Sequence, residues 1–166
     1  MKNILFYDTV IGQVGIAEQD GYITNIFFNE DVIHEDFITN ETEVLKVASG
    51  QLYEYLSGKR KNFSLPLAPQ GTAFMKQVWQ CLTQIPYGET RSYKEIAAAC
   101  GNPKASRAVG MANNRNPIPV IIPCHRVIGS TGKLIGYRGG LVVKQKLMEI
   151  EKNMLGRSGN SKGHAE

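Results

Sequence analysis

The 166-residue chain has little cysteine, little histidine and no clustering of the two that would make a metal site. Its three cysteines, Cys81, Cys100 and Cys124, are odd in number, widely spaced and nowhere arranged as C-x-x-C; the histidines are His34, His125 and His164. That argues against a disulfide framework and against structural zinc, so no metal and no cofactor are expected. Long apolar runs are absent as well. No stretch approaches the ~20 residues of a membrane span. The opening "MKNILFYDTVIGQVG" has one lysine and an apolar stretch broken by Tyr7 and Asp8, unlike a signal peptide. The expectation is a cytoplasmic protein with no membrane partner, whose free thiols differ only through local environment.

Acid is missing from one part of the chain. Residues 91–138 carry eight basic side chains and a single acid, Glu95, whereas residues 1–55 carry ten acids against Lys2 and Lys46. The net charge of +4 hides this split. It points to two units, the second either a solvated basic surface or a face for a polyanion.

The first unit, residues 1–69, reads as α+β. "NILFYDT", "GQVGIAEQ" and "GYITNIFFN" are strand-like, with "QDGY" a turn signal between two of them. Val44, Leu45, Ala48, Leu52 and Leu56 recur at helical spacing up to Gly58. "KRKNFSLPLAPQG" reads as a strand and a proline-containing linker, with the boundary near residues 69–71. His34, among Glu30, Asp31, Glu35 and Asp36, reads as a solvated loop residue.

The second unit, residues 70–155, is mostly helical. Phe74, Val78, Cys81, Leu82 and Ile85 share a helical face behind the candidate N-cap Thr72, with Cys81 packing as a small apolar residue. "SYKEIAAAC" opens on the capping-box pattern Ser92-x-x-Glu95 and ends at Gly101. A second helix from about Lys104 completes a helix-turn-helix. That helix is rich in small residues, Ala105, Ser106, Ala108, Gly110 and Ala112, with Arg107 its one long cation near the start. Such a face suits either tight packing in the core or close approach to a groove, and offers few side chains for reading base edges. A final helix is expected from about Leu141, with Leu141, Leu147, Ile150 and Met154 facing the core, and a disordered tail over residues 156–166 that includes His164.

Prolines 117, 119 and 123 in "NRNPIPVIIPCHRVIG" exclude a regular helix and hold the chain extended up to Cys124. A thiol of pKa about 8.5 is only slightly ionised at neutral pH, so a nucleophilic cysteine needs a base and nearby cations. His125 and Arg126 are the local candidates. Neighbours on an extended chain point to opposite faces, so the link from Cys124 to His125 is expected to run through a turn or a bridging water. A carboxylate should orient the imidazole, and the only acids between Cys124 and the tail are Glu149 and Glu151. From the residues alone Cys124 stands either as a buried inert thiol, as in a DNA-binding regulator where it is structural, or as a nucleophile, as in a cysteine hydrolase or acyltransferase with a Cys-His-Glu triad.

The run "NPIPVIIPCHRVIGSTGKLIGYRGGL", preceded by "GETRSYKEIAAACGNPKASRAVGMANNRNP", resembles the C-terminal domain of the O6-alkylguanine-DNA alkyltransferases over residues 71–155. The motif Pro-Cys-His-Arg-Val with Asn-Pro-x-Pro upstream carries the resemblance. The first unit resembles the family only in size, acidity and α+β character. The resemblance implies an α+β fold: a small sheet domain, then a helical domain with a winged helix-turn-helix. It implies a monomer that binds double-stranded DNA containing O6-alkylguanine, flips the damaged base and transfers its alkyl group once, irreversibly, to a cysteine, with O4 of thymine a second candidate site.

Carried over by position, Cys124 would be the acceptor, His125 its base through water and Glu151 the residue orienting His125. Asn116 would hold the backbone beside the cysteine. Tyr93 would help turn out the nucleotide and protonate the leaving guanine, and Arg107 would fill the vacated stack. Ala105, Ser106, Ala108 and Arg115 would meet the DNA, and Met111, Pro119, Val127 and Tyr137 would line the guanine pocket. Some family members bind zinc in the first domain, but residues 1–70 contain no cysteine and one histidine. A related non-catalytic group lacks the cysteine that Cys124 supplies here.

Overall fold

Strand-forming residues and tight turns build the first unit. In the computed structural model, which describes residues 1–129, 132 and 136–163 and side chains as far as residue 155, β1 (Lys2–Thr9), β2 (Gly12–Gln19) and β3 (Tyr22–Phe28) form an antiparallel meander. A two-residue strand β4 (Ile38–Thr39) pairs parallel to β1, giving the order β3-β2-β1-β4. Asp20 and Gly21 both have positive φ, 54° and 84°. That is the two-residue hairpin turn whose twist matches the strands it joins.

Helix α1 (Glu43–Leu56) packs on this sheet through Leu45, Ala48, Leu52, Tyr55 and Leu56. Val44, assigned to that face from the sequence, is only partly buried, and Tyr55 joins the face instead. The strand expected after residue 60 reduces to one parallel bridge between Ile23 and Leu67. The Ile23 N–H donates to Pro66 O (2.9 Å) and the Ala68 N–H to Ile23 O (2.8 Å). Pro66 and Pro69 have no N–H to extend the ladder.

Helix α2 (Ala73–Leu82) starts where Thr72 Oγ1 accepts the Met75 N–H at 3.1 Å. The short strand β5 (Arg91–Ser92) leads into α3 (Tyr93–Ala99), where both halves of the expected capping box form. After a turn at Gly101, α4 (Ser106–Asn114) begins two residues later than the sequence suggested, with Ala105 as a cap that offers no side-chain bond. The three helices pack on one another, and Trp79 Nε1–H fixes the crossing by donating to Ala112 O at 2.8 Å. Cys81 is half-buried rather than a simple core residue: its sulfur lies 2.8 Å from that of Cys100.

The last helix, α5 (Leu141–Gly163), differs from expectation in two ways. Its backbone stays helical past Gly156, where no proline interrupts it and where the composition reads as a tail; His164 lies outside the described residues. Its core face carries Lys144, Leu147 and Glu151, all buried, while Leu141 is exposed. Two charged residues occupy that face because each finds a buried partner, as described below. The wing expected after Ile128 falls largely on residues 130, 131 and 133–135, outside the described residues.

One apolar core runs from the sheet to the helices, through Ile23, Ile26, Tyr55, Trp79, Ile96, Val109, Val127 and Leu147. The Ile26 N–H donates to Pro117 O (2.8 Å), and Arg138 donates to Ile26 O (2.6 Å) while meeting Asp31 at 3.5 Å. The segment carrying Cys124 is therefore clamped between the two units.

Candidate active site

The prolines around Cys124 keep the chain out of an α-helix, but they do not leave it simply extended. Val120 takes φ +74°, a conformation a β-branched residue adopts only when its surroundings enforce it. Asn116 is the enforcing group. Its buried amide donates to Ile122 O (2.8 Å) and accepts the Ile118 N–H (3.0 Å), closing the 116–122 turn. The chain then enters a 3-10 turn, Cys124–Arg126, which places three successive buried side chains in different directions. The next strand, β6 (Val127–Ile128), pairs parallel with β5. The cysteine turn is thus clipped to the residues that start the helix-turn-helix.

Glu151 organises the turn. Its Oε2 accepts from His125 Nε2 (2.7 Å), Arg126 Nη2 (3.0 Å) and the Tyr55 hydroxyl (2.5 Å); its Oε1 accepts from Arg126 Nε (3.0 Å) and the Gly88 N–H (2.9 Å). Arg126 also donates to Ile85 O at 2.7 Å. Of the two acids left open by the sequence, Glu151 is the partner, while Glu149 accepts from Gln145 on the exposed side of α5.

The electrostatics follow from burial and pairing. Burial opposes ionisation of Glu151, but His125 and Arg126 outweigh it and hold the carboxyl at about 2. Burial lowers the His125 pKa despite the carboxylate, so the ring is neutral near pH 7 and Arg126 is the standing cation of the group. With Nε2–H directed to Glu151, neutral His125 keeps its lone pair on Nδ1, a buried atom with no hydrogen-bond partner among the described residues. Burial pushes the Cys124 thiol up, while Asn116, Arg138 and Lys144 pull it back. Lys144 Nζ donates to Val127 O at 2.7 Å, which places a buried cation beside the thiol.

Two tyrosines also face the thiol. The Tyr137 hydroxyl is buried near Cys124 without a hydrogen bond of normal geometry; burial and the sulfur's charge hold its pKa well above 10. Tyr93 is raised for the same two reasons, with Asn113 opposing. Both phenols are proton donors at neutral pH. Burial and Cys81 push the Cys100 thiol up to about 12, so it does not compete as a nucleophile.

The chain matches two family profiles. Residues 73–153 match the "6-O-methylguanine DNA methyltransferase, DNA binding domain" and residues 5–69 the "ribonuclease-like domain" of the same family. A methylated-DNA–protein-cysteine methyltransferase of Methanosarcina barkeri is 49% identical over 158 residues, covering 91% of this chain and 99% of that protein. The chain belongs to this methyltransferase family. The constitutive enzyme of Bacillus subtilis is 48% identical over 152 residues, covering 87% and 92%. The crystal structure of Mycobacterium tuberculosis OGT in complex with DNA superimposes with a TM-score of 0.87 at 43% identity, covering 92% of this chain and 94% of that one.

In this methyltransferase the structure brings together Cys124, His125, Glu151, Asn116, Tyr93, Tyr137 and Val127 around one buried turn. Pro119 is buried in the same segment and bridges to Ile122. Apart from Tyr93, the residues assigned to DNA lie on α4 and at its two ends, Ala105 and Arg115. Arg107, Ala108 and Arg115 are exposed and Ala105 and Ser106 half-buried. Met111, assigned to the pocket, is 55% exposed on that same outward face. Tyr55 and Lys144 were missed by sequence reasoning. Tyr55 lies 96 residues from Glu151 in the chain, so no local signal marks it. Lys144 was legible in principle, since it shares a helical face with Leu147 and Glu151.

Proposed function

We propose that this protein repairs DNA by moving a methyl group from O6 of guanine, in double-stranded DNA, onto its own Cys124. The reading rests above all on a buried thiol followed in the chain by a neutral imidazole whose Nδ1 is left over as an acceptor while its Nε2–H is tied to a carboxylate. A thiol kept protonated by burial is protected until a substrate arrives. The Cys124 proton then passes to His125 Nδ1, directly or through a water, and Sγ attacks the methyl carbon. The S–C bond forms as the C–O6 bond breaks. The electron pair goes to the guanine, which takes a proton from the Tyr93 hydroxyl, and that hydroxyl is restored from His125 or solvent. The products are an S-methylcysteine and an unmodified guanine. A thioether has no route back, so each molecule acts once.

The methyl carbon is out of reach inside a base pair, so the base must leave the stack, at a cost of about a few kcal/mol. Arg107 projects from the exposed face of α4, suited to fill the gap, and small Ala105, Ser106 and Ala108 let that face approach the groove. Arg115 supplies phosphate contact. Val127, Pro119 and Tyr137 line the guanine pocket, with Met111 at its rim. O4-methylthymine presents the same oxygen-bound methyl and is a second candidate. We divide the chain into a domain of residues 1–69, a DNA-binding and transfer domain of residues 70–155 and a tail, acting as a monomer in the cytoplasm. Among the described residues no helix is long and apolar enough to cross a membrane. Counting methyl groups removed from an excess of lesion duplex tests the reading. It predicts a plateau at one per protein, and continued turnover would favour a hydrolytic triad instead.

A further inference from the structure

Tyr55 belongs to α1, on the sheet unit, yet its side chain ends in the active site of the other unit. It is fully buried. Its ring packs against Phe63 (5.1 Å), Tyr87 (6.2 Å) and His125 (6.5 Å between centroids). Its hydroxyl donates to Glu151 Oε2 at 2.5 Å and lies 3.2 Å from His125 Nε2. Tyr55 and His125 therefore direct their protons at the same carboxylate oxygen. Resting on the alkyl-transfer reading above, we propose that Tyr55 is a positioning residue that sets the basicity of His125 through Glu151, so that the first unit supplies part of the proton-transfer apparatus.

A carboxylate oxygen shares its charge among the donors it accepts from. Each donor on Oε2 spreads the negative charge and weakens the oxygen's hold on the others. Tyr55 can act as a constant donor, because burial and the Glu151 charge keep its phenol un-ionised across the working pH range. With the phenol present, protonated His125 gains less from Glu151, and the ring stays neutral and ready to take the thiol proton. Without it, Oε2 binds the Nε2–H more tightly and the ring becomes easier to protonate at Nδ1. The other groups facing His125 and Glu151 are Arg126, Lys144 and the Gly88 N–H. Arg126 and Lys144 are cations that disfavour a second positive charge on the imidazole. Tyr55 differs from them in being neutral and in reaching across from α1. Tyr87 lies against the Tyr55 ring and beneath the Arg126 guanidinium (5.6 Å), and so holds the phenol in place rather than acting on the imidazole.

The test uses the full-length protein, an oligonucleotide duplex carrying one O6-methylguanine and single-turnover transfer rates across pH. Tyr55→Phe keeps the ring and removes only the hydroxyl. The acid limb of its profile should move to higher pH by about half a unit to one unit, a fraction of what a full opposite charge can do. The His125 imidazole titration, followed by NMR without DNA, should move the same way. Placing 3-fluorotyrosine at position 55 preserves the packing and makes the phenol a stronger donor, so both quantities should move to lower pH. If Tyr55→Phe fails to fold, the fluorinated protein decides alone. A purely structural Tyr55 would change melting temperature but leave both titrations in place, which would overturn the proposal. Wild-type protein that transfers no methyl group at all would instead sink the alkyl-transfer reading, while the NMR titration would still report on Tyr55.

Discussion

Replacing Glu151 by glutamine keeps the side chain's size and removes its charge. Five donors converge on that carboxylate, and the cation among them, Arg126, is itself buried. Two routes give the cost. Removing one partner of a buried ion pair strands the other and costs about 3–5 kcal/mol. The second route uses the carboxyl's displacement from an ordinary 4.5 to about 2, where His125 and Arg126 outweigh burial. At about 1.4 kcal/mol per unit that displacement corresponds to roughly 3.5 kcal/mol. Both give a loss of about 3–4 kcal/mol at neutral pH. The folded pKa lies below the unfolded one, so this contribution is complete above about pH 4.5 and is lost as the pH falls towards 2. Urea unfolding of both proteins from about pH 7 down to about pH 3 reads the effect directly. The wild type should lose its advantage on acidification, and Glu151→Gln should show no matching decline. A variant within about 1 kcal/mol of wild type at neutral pH, or one with the same acid dependence, would refute the central place given to this carboxylate.

Three further predictions follow from particular contacts. If Arg107 fills the vacated stack, Arg107→Ala should slow methyl transfer from duplex DNA far more than transfer from the free alkylated base; equal losses would remove that role. Asn116→Ala takes both bonds from the turn that holds Val120 at φ +74°, so it should cost about 1–3 kcal/mol in thermal or urea unfolding and slow transfer as well. Gly88→Ala combines a positive φ of 80° with a Cβ that would collide with Leu155, so it should destabilise by more than about 1 kcal/mol in urea unfolding; a neutral result would mean that Leu155 moves aside and the turn accepts a side chain without strain.

Much of the fold was legible because local chemistry fixed it. The Asp-Gly hairpin, the Ser92-Glu95 capping box and the Thr72 cap are all short-range rules, and each forms as read. The site was half legible. Cys124, His125 and Arg126 are adjacent in the chain, and the shortage of acids left only Glu149 and Glu151 as partners. What the sequence concealed depends on burial of polar groups. Periodicity assigns charged residues to the outside, so the face of α5 was drawn through Leu141 when it runs through Lys144, Leu147 and Glu151. Tyr55 carries no local signal in the sequence and is buried beside His125 and Glu151. The proline run implied an extended chain. The Asn116 clamp and the 3-10 turn that reshape it come from bonds between residues two and six positions apart, which proline spacing does not encode.

The central claim is that Cys124 itself receives the methyl group. Intact-mass measurement after mixing the protein with an excess of a duplex carrying one O6-methylguanine, followed by peptide mapping, tests it most directly. One added methyl per molecule is expected, on the peptide containing Cys124, with Cys81 and Cys100 unmodified. An unchanged mass despite binding of the lesion, or a methyl group on a different residue, would contradict it.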